Sequence, residues 1–280
     1  MNKYLTTQLE KNFKIIYFVF LAFFVFIASY FPLFFILKDL NFLPLGSNEA
    51  SHLIVAKSIL SGSPPYTEHF ENRGPLFFYI LSPIFLFGNF LINFHFLYLL
   101  ATYLSAIVIF FICRSLYGTI SAVFASIPTT LILSQGYNPE NFIFLFLSLH
   151  ILFSFKMLSS KKSNHIILSA LFMSCAVLIR FNVSILALMS FLFFLILVKD
   201  KIKFCFFYIL SGLTPLIILL VIYANYPNGL DIFYNAQFNF HLNLTQGRPF
   251  YIGLYQFLDV ISSTPYISLY CLSIVIFLFK

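Results

Sequence analysis

Glu49 and His52 stand three residues apart in the stretch Ser47-Asn48-Glu49-Ala50-Ser51-His52, and on a helix that spacing puts both on one face. A carboxylate there could take a proton from a hydroxyl, or could favour the positive start of a helix. With the imidazole beside it, the pair could hold a divalent metal; solvated polar side chains are the plainer alternative. Further along, Glu71 and Arg73 flank Asn72 just before Gly74-Pro75, Glu140 follows Asn138-Pro139, and Arg180 separates two apolar runs. A guanidinium pairs bidentately with phosphate. Placing Arg inside a span costs about 2.5–3.5 kcal/mol on insertion scales, so Arg180 is either a phosphate clamp or an anchor that snorkels to water. Glu140 could hold a metal or an acceptor group, or be an acid at a helix start.

The elements that must position these groups are membrane helices. Of 280 residues, 61% are hydrophobic and 9% charged, against about 25% charged in a soluble domain. The apolar residues form uninterrupted runs rather than the alternation of a barrel, so helices are the way to satisfy the backbone in a bilayer. The runs cover about 13–37, 76–90, 91–113, 119–135, 139–157, 164–180, 183–198, 204–225 and 254–279. The first is too long, and lacks the small-residue cleavage site, for a signal peptide, and reads as an uncleaved span. The 76–90 run is short and contains Pro83 and Gly88, which weaken a helix interior. If it does not cross, the outer side carries only Lys38, Lys57, Arg73, Arg180 and Arg248 of the 16 basic residues, as the positive-inside rule requires. If it crosses, the bias reverses. The expected topology is therefore eight spans, both termini cytosolic, with 76–90 lying in or dipping into the outer interface.

Acids segregate the other way. Asp39, Glu49, Glu68, Glu71, Glu140, Asp231 and Asp259 fall on or near the outer face, leaving Glu10 and Asp200 inside. Such crowding in a chain this poor in charge points to an outward site. The net charge of +7 belongs to cytosolic loops, and no basic block suggests nucleic acid. Cys113, Cys175, Cys205 and Cys271 are scattered, without metal-ligand or disulfide spacing. His95 and His150 lie on apolar faces and read as satisfied packing residues. Long connections are commonly functional, and two fall outside, about 38–75 and 226–253. In the first, Ile54, Val55, Ile59 and Leu60 recur at helical spacing before Ser61-Gly62, a stop signal.

At this loop the sequence resembles a known family. Ser47-Asn48-Glu49-Ala50, then Ala56-Lys57-Ser58-Ile59-Leu60-Ser61-Gly62, Pro65-Tyr66 and Glu71-Asn72-Arg73-Gly74-Pro75-Leu76 are similar to the first outer loop of lipid-linked-sugar glycosyltransferases of the GT-C superfamily, in its protein-mannosyltransferase-like branch. Tyr137-Asn138-Pro139-Glu140 and Leu178-Ile179-Arg180 extend the likeness, which covers most of residues 10–200 and is strongest in 46–88. It implies an all-α polytopic membrane protein, a module of seven to eight transmembrane helices over residues 1–225 with a helical catalytic loop at about 38–90. Residues 226–280 then form a second outer loop and a last span, where such enzymes typically continue further.

The implied reaction moves a sugar from a polyprenyl-phosphate donor to a lipid, glycan or protein acceptor at the outer face of a prokaryotic plasma membrane. It needs a carboxylate for the acceptor's proton, cations or a metal for the departing phosphate, and an apolar groove for the lipid. No cofactor is required, although a divalent metal could serve. The resemblance places Asn48 and Glu49 as the catalytic pair, with Tyr66, Glu71, Arg73, Glu140 and Arg180 as substrate-binding residues. The family's pair is usually Asp-Glu, with Asp as the catalytic residue. An amide cannot take a proton at neutral pH, so Glu49 serves instead, or Asp39, Glu68 or Glu71 does, or the protein is an impaired relative. A transporter or flippase for a lipid-linked saccharide is the alternative; such proteins place charge mid-membrane on broken, repeated helices, a pattern absent from this sequence.

Overall fold

The computed structural model describes Val19 and residues 47–69, 71, 73–133, 138–160 and 162–239. The expected first and last spans, Asp39, Asn72, Tyr137 and Arg248 lie outside these residues. The chain divides into two units, Met1–Leu230 and Asp231–Lys280. The second unit contributes the end of a short helix, Gly229–Tyr234, and a π-helical turn at Asn235–Asn239.

The first unit is all-helical among its described residues. Helix α1, Ser47–Ser58, has Glu49 in its first turn and Lys57 in its last, each sign matching the adjacent end of the helix dipole. It tightens into a 3-10 turn at Ile59–Ser61 and stops at Gly62, whose φ of 92° is left-handed and whose N–H returns to the Ile59 carbonyl. Helix α2, Pro75–Leu81, begins on a proline, which needs no N–H at that position. It runs into a second 3-10 turn, Ser82–Leu86. Together these make a rod of about 20 Å, against about 30 Å of hydrocarbon.

Among the described residues three helices have the length and composition to cross a bilayer: α3 (Phe90–Tyr117), α5 (Glu140–Ser160) and α8 (Lys201–Ala224). Asn89 caps α3 by accepting the N–H groups of Leu91 and Ile92, and Asp200 caps α8 by accepting that of Lys203. The other expected spans form shorter apolar helices, α4 (Thr119–Leu133), α6 (Ser163–Ile179) and α7 (Ser184–Leu197). In space α3 packs on α4 and α5, α5 on α6, and α6 on α8.

Buried side chains hold the helices together, with Ala106, Phe110 and Ala122 joining α3 to α4. At one end Met157, Ile166, Ala170, Phe194, Phe204 and Tyr208 join α5, α6, α7 and α8. At the other, Phe77, Phe78 and Leu81 of α2 are fully buried, with Phe77 against Phe142 of α5 and Phe142 against Tyr98 of α3. Helix α2 thus packs its aromatic side chains against α5 and, through Phe142, against α3. The start of α3, the start of α5 and the ends of α6 and α8 all meet the loop at this end, where Asn93 also donates to the Ile84 carbonyl at 2.9 Å.

Candidate functional site

The loop is locked to the bundle at its Arg-Gly-Pro segment. Gly74 donates its N–H to the Ile179 carbonyl at 2.8 Å. A Cβ at Gly74 would stand 2.0 Å from the Leu178 carbonyl oxygen, so only glycine lets the two backbones come this close. This contact brings Arg73 beside the end of α6, where the chain leaves the helix at Arg180 in an extended conformation. Arg180 and Glu140, from the end of α6 and the start of α5, form an ion pair with both side chains partly open to solvent.

Pro65-Tyr66 is the second lock. Tyr66 takes a left-handed φ of 73° and is buried. Its hydroxyl donates to the Arg73 carbonyl, and its ring stacks on Tyr223 of α8. The Tyr223 hydroxyl donates to the Pro65 carbonyl at 3.0 Å. In this arrangement Tyr66 fixes the backbone that carries Arg73. Tyr223 is a residue that sequence reasoning missed, because one Tyr near the end of an apolar run looks like any interfacial aromatic. Glu68 accepts from Ser63 across the turn at 2.5 Å.

Between these locks lies a carboxylate–imidazole cluster. Glu71 accepts a hydrogen bond from Ser51 at 3.0 Å, and its Oε2 lies 3.9 Å from Nε2 of His52. His52 is 4% exposed and packs edge-on to Phe77, ring centroids 5.1 Å apart. Burial lowers its pKa below the usual 6.5; Glu71, Glu49 and Glu140 pull the other way, and Arg73 adds to the lowering. Burial wins, so the imidazole is neutral at pH 7. Two buried polar atoms here, Nδ1 of His52 and Nε of Arg73, have no hydrogen-bond partner among the described residues.

The candidates from the sequence thus converge on one end of the bundle: Glu49, His52, Glu71, Arg73, Glu140 and Arg180, with Tyr66 as a brace. Glu49 is half-buried in the first turn of α1; Asn48 shares that turn and is described by its backbone alone. The Ser51–Glu71–His52 grouping was not legible beforehand, because 20 residues separate Ser51 from Glu71. Among the described residues no three His, Cys, Asp or Glu side chains form a group suited to a metal ion. His150, by contrast, is a satisfied packing residue in mid-bundle, bonded through both ring nitrogens.

The described residues thus form an all-helical module with cations and carboxylates gathered where a loop docks at one end. The sequence pattern of the dolichyl-phosphate-mannose-protein mannosyltransferases matches residues 72–224, more than half of the chain, and the chain belongs to that family of GT-C glycosyltransferases, which draw on lipid-linked sugars. The matched span includes Arg73, Glu140 and Arg180; α1, with Glu49 and His52, precedes it. No curated protein and no solved structure matches the chain.

Proposed function

We propose that this glycosyltransferase moves a sugar from a polyprenyl-phosphate donor to a lipid, glycan or protein acceptor at the outer face of a plasma membrane, with the loop and the ends of α5, α6 and α8 on that face. The observation that carries the reading is the convergence of Arg73, Arg180, Glu49, Glu71 and Glu140 at one end of an apolar bundle. Basic residues at the other end, from Arg114 through Lys156 and Lys162 to Lys199, Lys201 and Lys203, favour a cytosolic face there. Glu49 takes the acceptor's proton as the acceptor oxygen bonds to the sugar's anomeric carbon. The bond from that carbon to the phosphate oxygen breaks, and its electron pair leaves with the polyprenyl phosphate. Arg73 and Arg180 stabilise that charge, Arg180 being handed from Glu140 to the incoming phosphate.

Transfer of labelled sugar from a polyprenyl-phosphate donor in membranes tests this. Glu49→Gln should abolish most transfer, and unchanged activity would remove Glu49 from the mechanism. Asn48→Asp should raise activity if the amide limits the enzyme. Glu49 and His52 are the pair a divalent metal would use, and transfer measured with and without EDTA decides whether one takes part. Labelling of single cysteines placed at positions 70 and 160 should report opposite sides of the membrane.

A further inference from the structure

His52 combines three properties rarely found together. Its ring is almost wholly buried and packed against Phe77 and Phe78. Its Nε2 faces a carboxylate, Glu71, itself oriented by Ser51. Its Nδ1 is buried and makes no hydrogen bond among the described residues. Leaving a buried polar atom unsatisfied is destabilising, and this one lies where Glu71, Arg73, Glu49 and Glu140 all act electrostatically on the ring.

The chemistry of imidazole then restricts what can bind. A neutral ring carries one proton, and the carboxylate beside Nε2 favours that nitrogen for it. Nδ1 is left as an acceptor with a bare lone pair. A phosphate oxygen or a carbonyl cannot use it; a ligand hydroxyl can. The neighbouring groups repeat this preference, since Glu49, Glu71 and Glu140 are also acceptors and all act electrostatically on His52. Phosphate is suited to Arg73, which acts electrostatically on the same ring, and to Arg180, paired with Glu140.

Resting on the reading of a lipid-linked sugar donor, we infer that Nδ1 of His52 accepts a hydrogen bond from one hydroxyl of the transferred sugar, making His52 a sugar-specificity residue held in register by Glu71 and Ser51. A site built to hydrogen-bond a hydroxyl discriminates against the analogue that lacks it. Phe at position 52 keeps the aromatic packing and removes the acceptor.

The test uses the detergent-purified full chain and a short-chain prenyl phosphate, bare, carrying a hexose, or carrying each monodeoxy hexose in turn. Binding is read as thermal stabilisation across a concentration series. Wild type should bind the hexose compound more tightly than the bare phosphate, with one monodeoxy analogue weaker by about tenfold, the loss of a single hydrogen bond. His52→Phe should bind the hexose and that analogue alike. Glu71→Gln, which removes the charge holding the proton on Nε2, should weaken the same preference several-fold and serves if His52→Phe does not fold. An unaltered deoxy preference in either folded variant would overturn the inference, as would a wild type indifferent to the sugar. Sugar-selective binding that depends on His52, in a wild type that transfers nothing, would instead sink the transferase reading and leave this site standing.

Discussion

Of the three histidines buried among the described residues, His52, His95 and His150, the first and last sit in opposite circumstances. His150, in the middle of α5, is fully buried. Its Nδ1 lies 2.9 Å from the Ser169 carbonyl and its Nε2 2.8 Å from the Ser190 hydroxyl. Nδ1 also lies 2.9 Å from the Ser169 hydroxyl, so the ring is held through both nitrogens. Ser154 and Ser169 complete the network at 2.9 Å, tying α5, α6 and α7 together where no water is at hand. His52 is as buried but leaves one nitrogen unused, beside three carboxylates. His150 closes on partners inside the bundle, whereas His52 at the loop end keeps one nitrogen without a hydrogen-bond partner among the described residues.

The joint between the two regions is the place to break that contrast most severely. Gly74→Ala forces a Cβ to within 2.0 Å of the Leu178 carbonyl oxygen. The loop should detach from α6, with sugar transfer lost and residues 63–75 opened to limited proteolysis, while the His150 end of the bundle stays protected. Next in size is Glu49→Gln, expected to cut transfer by about 10²–10⁴-fold, the usual worth of a general base, with no change in thermal stability. A variant that lost both would reassign Glu49 to capping α1.

His150→Phe should do the reverse. It leaves Ser190 and the Ser169 carbonyl without their partner and costs about 1–3 kcal/mol, read as a lower unfolding temperature, while sugar preference is unchanged. Breaking the Arg180–Glu140 pair should matter least for stability, about 0–1 kcal/mol for a pair this open to solvent. Arg180→Lys should nevertheless raise the KM for the donor, because a point charge replaces a bidentate fork. The smallest effect is one of pH. Burial holds the His52 pKa below 6.5, so the unfolded chain takes up the proton first as pH falls. That stability is present above pH 6.5 and drains away below it. His52→Phe should flatten this acid limb of the thermal-stability profile, and an unchanged limb would show that other groups produce it.

Much of this was legible in particular residues. The apolar runs foretold α3, α5 and α8; Pro83 and Gly88 marked 76–90 as a poor span, and the structure makes it a short helix followed by a 3-10 turn. Ser61-Gly62 ended the loop helix as expected. Glu140 and Arg180 were each singled out, but their pairing was not, because it needs α5 and α6 side by side. The apolar runs at 119–135, 164–180 and 183–198 likewise fall on α4, α6 and α7 to within a few residues, since hydropathy marks where a chain is apolar.

Composition and charge order alone therefore determined that this is a helical membrane protein and singled out Glu49, Glu71 and Glu140, because burial in lipid and loop charge are properties of residues in a row. Which acid meets which base was decided by tertiary structure. Gly74 against α6, Tyr66 against Tyr223 and Glu71 against Ser51 and His52 join residues far apart in the chain, through contacts whose geometry depends on helix packing. Sequence spacing reaches only neighbours on one helix, such as Glu49 and His52. The unused nitrogen of His52 emerges only once every partner around it has been placed.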